Sequence, residues 1–312
     1  MPSTTPALIR ACGLTKRFGS FTAVDAIDFD LRGGEAFGFL GPNGAGKSST
    51  MRMIGCQSPP TSGELTIFGL DPVADGPAIR ARLGIVPQED TLEVELTVRE
   101  NLMVYGRYFE ISRQVLRERS ARLLEFVQLA DRQDDRVGSL SGGMKRRLTI
   151  ARSLINEPQV LLLDEPTTAL DPQARHAVWD RLFRLKQQGL SLVLTTHYMD
   201  EAEQLCDRLV VMDRGRIAAA GSPRELIDRY STPEVLELRF DPARHENAAE
   251  KLASVPARRR EVLADRVLLY VVDGEATLAA VSGLGLDPVF SLVRRSTLED
   301  VFLRLTGRRL ED

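Results

Sequence analysis

Residues 41–49 read GPNGAGKSS, and the first eight fit G-x-x-x-x-G-K-[ST] without exception. At ordinary residue frequencies, a chain of 312 residues matches this pattern by accident on the order of one time in a hundred. The context narrows it further, because an apolar run, EAFGFLG (35–41), precedes the loop and a helical stretch (48–54) follows it. Glycines let backbone N–H groups turn inward around the β- and γ-phosphates of a nucleotide, where the helix N-terminus adds partial positive charge. Lys47 adds a full charge, and the Ser48 hydroxyl can ligate Mg²⁺. A plain glycine turn before a helix would use similar letters, but it would not need Lys47.

Outward from the loop, short apolar runs alternate with helical patterns. RLGIVPQ (82–88), QVLLLDE (159–165), LSLVLTT (190–196) and RLVVMD (208–213) are almost continuously apolar, as strands buried on both faces are. The alternation predicts an α/β fold with a parallel sheet covered by helices. Val98, Leu102, Tyr105 and Phe109, then Leu116, Leu123, Leu124 and Val127, recur at helical spacing. They predict a helical subdomain inserted over about 93–158, with the polar run DRQDDR (131–136) as a solvated loop.

After residue 230 the character changes. STPEVLELRF opens a region without a nucleotide motif, read as strand 234–240, helix 246–255, strand 261–272, helix 275–284, strand 289–295 and a last helix. Ser296 with Glu299 has capping-box spacing, and Leu298, Val301, Phe302 and Leu305 form one apolar stripe. This predicts a small C-terminal α+β domain over 231–312.

Two further stretches carry chemistry. LLLDEP (161–166) is an apolar strand ending in Asp164, whose carboxylate at the strand tip can hold a magnesium shell. Glu165 follows directly and is the candidate general base for an attacking water. In LSGGMKRRL (140–148), Ser141, Gly142 and Gly143 open a predicted helix over 144–156, where hydroxyl, backbone donors and helix dipole favour an anion. Lys145, Arg146 and Arg147 stand in its first turn, where cations oppose the dipole and a nearby anion would offset the cost. An ordinary N-cap on an amphipathic helix would use the same Ser-Gly-Gly.

Composition bounds the rest. A net charge of −3 gives no basic field, so no nucleic-acid partner is expected. Cys12, Cys56 and Cys206 lack metal or disulfide spacing and read as reduced, buried thiols. The start, MPSTTPALIR, lacks the pattern of a signal peptide, and no apolar run approaches the roughly 20 residues of a membrane span. Any action on a membrane requires another chain to cross it.

GPNGAGKSS, VPQ, LSGGM, LLLDEP, ALDP and TTH occur in the order and spacing of ATP-binding cassette (ABC) transporter ATPase subunits, and the resemblance covers 8–230. It implies a P-loop NTPase (RecA-like) core with an inserted helical subdomain and an antiparallel β subdomain within residues 1–230. It also implies ATP and Mg²⁺ as cofactors, and a head-to-tail homodimer in which Ser141, Gly142 and Gly143 of one copy bind the γ-phosphate held by the other. By the same resemblance, Phe18 stacks on adenine, and Gly41, Asn43, Gly44, Ala45, Gly46, Lys47, Ser48 and Ser49 hold the phosphates. Gln88 approaches Mg²⁺ and the attacking water, and Asp171, after Leu170, lies at the dimer seam. His197 contacts the γ-phosphate beside the base Glu165; Ser48, Gln88 and Asp164 form the metal set. His176 and His245 match nothing and default to surface or structural roles. Met144 stands where Gln is usual and Ala169 where Gly is usual, which puts nucleotide affinity across the seam in doubt.

The site alone does not settle the task, since one such engine serves many. The ending STLEDVFLRLTG, the MKRR signature and ENLMVYGRYF resemble daunorubicin-resistance and nodulation-factor-exporter ATPases, which pair with a separate membrane permease. That implies an exporter of a drug-like or lipid-linked molecule, at the cytoplasmic face of the membrane. The alternative is a non-transport ABC ATPase acting as a soluble mechanical switch. Glu93, Glu95, Glu100, Tyr105 and Tyr108 could form the permease groove, or simply a solvated helix face. The C-terminal domain suits dimer stabilisation or regulation equally.

Overall fold

The computed structural model describes residues 7–306, so the outermost ends of both expected domains lie outside the described residues. In chain order the elements are β1 (Ile9–Phe18), β2 (Phe21–Leu31), β3 (Ala36–Leu40), α1 (Lys47–Ile54), β4 (Ser62–Ile67), α2 (Gly76–Arg80), β5 (Leu83–Val86), α3 (Val98–Arg107), α4 (Arg113–Phe126), α5 (Gly142–Ser153), β6 (Val160–Asp164), α6 (Pro172–Gln187), β7 (Ser191–Thr196), α7 (Met199–Leu205), β8 (Arg208–Asp213) and β9 (Arg216–Gly221). Then follow α8 (Pro223–Tyr230), β10 (Glu234–Arg239), α9 (His245–Lys251), β11 (Arg259–Val262), β12 (Val267–Val271), α10 (Gly274–Gly283), β13 (Phe290–Arg295) and α11 (Leu298–Thr306). No helix among the described residues is long and apolar enough to cross a membrane.

Contacts divide the chain into two compact units, one ending at Ala220 and one beginning at Gly221. Helix α8, which the expected boundary at 230 leaves in the first domain, packs against α11 in the second.

The first unit holds a six-stranded sheet in the order β5-β6-β7-β3-β8-β9, whose β5–β6, β6–β7, β7–β3 and β3–β8 pairs are parallel. Its central strands are buried on both faces, as their unbroken apolar runs require. A second, antiparallel sheet, β2-β1-β4, packs against it through Phe29, Phe37 and Phe39, with the Phe29 and Phe39 rings edge-on at 5.0 Å. Sequence patterning located neither β1 nor β2. Register shifts between Ala11 and Leu14, and again around Lys16, break the two-residue alternation that would have shown them.

The inserted helices α3, α4 and α5 share a core of Val98, Leu102, Leu124, Val127, Leu140, Leu148 and Ala151. A full capping box of Thr97 and Glu100 starts α3. The DRQDDR run is not simply solvated. Its Gln133 and Asp135 carbonyls accept from Arg99 N and Val98 N and so hold the start of α3.

The second unit is a split β-α-β-β-α-β arrangement with sheet order β11-β12-β10-β13, all antiparallel. Leu236, Leu238, Val267 and Leu269 pack with Ala248 of α9, Leu252 just after it and Val281 of α10. Two expectations change here. The strand read over 261–272 is two strands, because the polar segment after Val262 turns back, with Leu263 N donating to Arg266 O. The capping box at Ser296 is displaced by one residue. Asp300 accepts from Thr297 N at 2.8 Å, while Ser296 Oγ accepts from Ser231 Oγ. Of the cysteines only Cys206 is buried; Cys12 and Cys56 are half-buried. His176 meets Trp179 edge-on, and His245 is buried at the start of α9.

Candidate functional site

Because β5, β6, β7 and β3 are parallel neighbours, their C-terminal ends lie along one edge of the sheet. The ligand crevice of an open α/β sheet lies at such an edge. The loop 41–46 leaves β3 there and leads into α1. Gly46 adopts φ +103°, and a Cβ on it would come within 2.4 Å of Ala23 O, so no side chain fits. That approach also brings the β1–β2 hairpin, with Phe18 at its tip, to the loop. Phe18 is 52% exposed, with Lys16 Nζ over its ring at 5.0 Å. Ala45 is buried, Asn43 and Gly44 are exposed, and Ser49 is half-buried.

Lys47 is buried, and its Nζ donates to Gly41 O at 2.7 Å and Pro42 O at 3.0 Å. Burial lowers its pKa, against the pull of Glu165, whose Oε1 lies 3.5 Å away. Ser48 Oγ donates to Asp164 Oδ1 at 3.2 Å, and the same oxygen accepts from Thr195 Oγ1 at 2.5 Å. A separation of about 3 Å is what two oxygens on one octahedral Mg²⁺ edge require, so this hard-oxygen pair fits the metal.

Glu165 gathers the predicted catalytic residues. Its Oε2 accepts from Gln88 Nε2 at 3.3 Å and Thr168 Oγ1 at 3.1 Å, and His197 Nδ1 stands 3.3 Å from the same oxygen. The His197 contact is a loose one, its Nδ1 falling short of well-aligned hydrogen-bond geometry. The Glu165 pKa falls from the usual 4.5 to about 2. His197 is the foremost cause; Lys47 and Thr168 add to it, and together they overcome the upward push of burial. Gln88, expected in the metal set, is hydrogen-bonded to Glu165 rather than to Asp164.

Ser141 and Asp171 are both helix N-caps. Ser141 Oγ accepts from Met144 N at 3.3 Å, and Asp171 Oδ1 accepts from Ala174 N at 2.8 Å. Ser141 and Gly142 are exposed, and Gly143 faces Ala174 closely enough that a Cβ would meet it at 2.9 Å. Among the described residues, no hydrogen bond or ion pair joins 141–143 to the 41–48 loop. Ala169 takes the left-handed φ of +62° that glycine would take without strain.

Arg146 departs from its expected role. Its guanidinium faces inward instead of toward an anion at the helix start. Nε donates to Pro166 O at 2.6 Å, Nη1 to Pro87 O at 2.5 Å, and Nη2 to Asp164 O and Glu165 O, both at 3.1 Å. Only 6% of the residue is exposed, and burial lowers its pKa. A sequence signal existed, since Arg146 shares one helical face with Thr149, Ile150 and Ser153, all buried. Arg147 donates to Val127 O at 2.8 Å. Glu201 was also missed. Fully buried, it accepts from Thr167 Oγ1 at 2.8 Å and Trp179 Nε1 at 2.9 Å, and burial raises its carboxyl pKa.

A phosphate loop, an acid at the neighbouring strand tip, and a carboxylate flanked by Gln and His together describe a nucleotide-hydrolysing site. Comparison with known proteins agrees. The profile described as ABC transporter matches 24–168, and that of the C-terminal domain of nodulation factor export protein NodI matches 245–307. The Nod factor export ATP-binding protein I of Rhizobium meliloti (strain 1021) is 46% identical over all of this chain and 92% of its own length. The chain belongs to the ABC transporter ATP-binding proteins. The protein of the same description from Cupriavidus metallidurans is 45% identical over 98% of this chain and 99% of its own. Among solved structures, an ABC transporter ATP-binding subunit aligns with 72% of this chain and 93% of its own at 30% identity and a TM-score of 0.65. The cassette cbiO1 of Clostridium perfringens aligns with 80% of this chain and 96% of its own at 25% identity and a TM-score of 0.66. Proteins of this family bind ATP and hydrolyse it in the service of transport, and this cassette is such an ATPase.

Elsewhere in the first unit, Ile85, Tyr105, Tyr108, Phe109, Arg80 and Arg119 line a groove of about 750 Å³. Tyr108 is 80% exposed. Of the acids expected there, Glu93 lines an adjoining cavity, whereas Glu95 pairs with Arg136 and Glu100 caps α3.

Proposed function

We propose that this cassette is the ATP-hydrolysing subunit of an exporter whose cargo is of the Nod-factor type. The relatives named above are described by Nod factor export, which supports this cargo in place of the expected drug-like or lipid-linked one. The observation that carries the catalytic reading is the convergence of Gln88, His197, Lys47 and Thr168 on the Glu165 carboxylate.

Two copies pair head to tail around ATP. In each site Lys47 and the loop amides hold the phosphates, Phe18 stacks on the adenine, and Ser141 to Gly143 of the partner copy close on the γ-phosphate. Ser48 and Asp164 hold Mg²⁺, with Gln88 able to join them; the ion, when bound, offsets phosphate charge. With a pKa near 2, held there first by His197 and further by Lys47, Glu165 is ionised but a weak base. Engagement of Lys47 with phosphate removes that cation and raises the basicity of Glu165 toward a water that Gln88 and His197 help to place. A solved cassette described as a dimeric post-hydrolysis state bound to ADP and Pi, 28% identical to this chain, supports the paired reading.

A separate membrane permease docks a short helix in the Tyr105–Tyr108 groove, so that the cassette lies peripherally at the cytoplasmic face. The chain is organised as a nucleotide-binding domain and a C-terminal accessory domain, divided within 221–230.

Glu165→Gln tests the scheme. The variant loses turnover and elutes as a dimer from size-exclusion chromatography when ATP and magnesium are present. A variant that remains monomeric with bound ATP overturns the head-to-tail reading.

A further inference from the structure

The second unit carries a cavity of about 330 Å³ that plays no part in the ATP chemistry. One wall is the end of α8 at Tyr230, with Ser231 and Thr232 behind it. The others are Arg258 and Arg259 at the start of β11, facing Tyr270 of β12, and Arg304 on α11. Three guanidiniums and no carboxylate line it.

Their charges are met unequally. Arg259 is ion-paired with Glu261 and also donates to Asp300 O. Arg304 Nη1 donates to Tyr230 O at 2.6 Å, a neutral acceptor that leaves the charge unbalanced. Arg258 is exposed, and among the described residues its side chain has no hydrogen bond or ion pair. Asp300, which accepts from Tyr270 Oη, is already engaged by both terminal nitrogens of Arg294 and supplies nothing to the cavity. Among the described residues, two cations therefore stand without a carboxylate partner around one concavity, in a chain whose net charge is −3.

We propose that this cavity binds a phosphate-bearing anion, with Arg258 and Arg304 as its charge partners. A guanidinium fork matches phosphate oxygens in pairs, and a phosphate monoester carries about −1.5 to −2 at neutral pH, a charge that two guanidiniums without a carboxylate partner balance. The volume is at the small end of ligand pockets, enough for a phosphoryl group and a little of its carrier. The bound group ties α8, β11 and α11 together. A soluble phosphate ester and a phospholipid headgroup share this chemistry.

The test uses the full chain carrying Lys47→Ala, which removes competition from the phosphate loop. Pyrophosphate is titrated in magnesium-free buffer by calorimetry. One saturable site is expected, weakened at least roughly tenfold by Arg258→Ala with Arg304→Ala and largely kept by Arg258→Lys with Arg304→Lys. Circular dichroism melting of each variant separates lost binding from lost folding. In parallel, the same proteins are sedimented with phosphatidylcholine vesicles with or without phosphatidic acid. Arginine-dependent pyrophosphate binding identifies a soluble ester, and arginine-dependent sedimentation with phosphatidic acid alone identifies a headgroup; either supports the site. Heat that fails to saturate, together with sedimentation indifferent to the arginines, overturns it, as does equal binding by the folded alanine variant in both arms.

Discussion

Arg146 Nε donates to the Pro166 carbonyl at 2.6 Å, so the helix opened by Ser141 is tied to the backbone next to Glu165 in the same chain. The remaining guanidinium nitrogens hold Pro87 O on the Gln88 side and Asp164 O and Glu165 O on the other. One buried side chain thus spaces the glutamine loop from the carboxylate it serves. Arg146→Met should cost roughly 3 kcal/mol in urea unfolding, because several buried carbonyls lose their only charged donor. It should also lower kcat more than ATP affinity. Arg146→Lys should recover only part of both, since a point-like ammonium cannot reach across the same set of carbonyls. A wild-type kcat in the folded methionine variant would show that the strut does not position the site.

The depressed pKa of Glu165 sets a pH dependence of known sign. A carboxyl held at about 2 when folded and 4.5 when free contributes stability above 4.5 and loses it as pH falls toward 2. Urea midpoints measured across that window should fall less steeply for Glu165→Gln than for the wild type. Parallel curves would mean that His197 and Lys47 do not hold the carboxylate as described.

Ser141 caps α5, so its replacement has a structural cost as well as a catalytic one. Ser141→Arg should lose about 1 kcal/mol of stability with the cap. Nucleotide binding by the monomer should survive, and hydrolysis should not. Loss of ATP binding in the isolated monomer would assign this serine to its own chain's site.

Ala169 occupies a left-handed conformation at φ +62°. Ala169→Gly relieves about 1 kcal/mol of strain but gives the unfolded chain nearly as much freedom, so the thermal midpoint should hardly move. Ala169→Val adds β-branching at the same angle and should lower the midpoint by several degrees. Equal midpoints for all three would contradict the strain.

Much of the site could be read from local sequence. Gly41 to Ser48 form a loop whose glycines and lysine are contiguous, and Asp164 and Glu165 end an apolar run, so neither needed distant contacts to be recognised. Ser141 was likewise visible as a residue opening a helix, whereas Asp171 came only through the resemblance of ALDP to the family motif. The inward turn of Arg146 was harder to see: its place on one helical face with Ile150 was a signal, but the three basic residues read together as cations offset by a nearby anion. Glu201 escaped for a similar reason. Nothing around it in sequence shows that Thr167 and Trp179 bring it two donors in the core.

The second unit separates the two kinds of information most clearly. Its alternation of strands and helices was legible, but Val262 and Val267 belong to different strands because a polar turn reverses the chain between them. The sequence alone determined which groups exist to handle a nucleotide, since the phosphate loop and the strand-end acids are short-range patterns. Only the tertiary structure decided what each group touches. Strands distant in the chain become neighbours in the order β5-β6-β7-β3, and parallel pairing sets their chemical ends along one edge, where Gln88, Glu165, His197 and Lys47 meet.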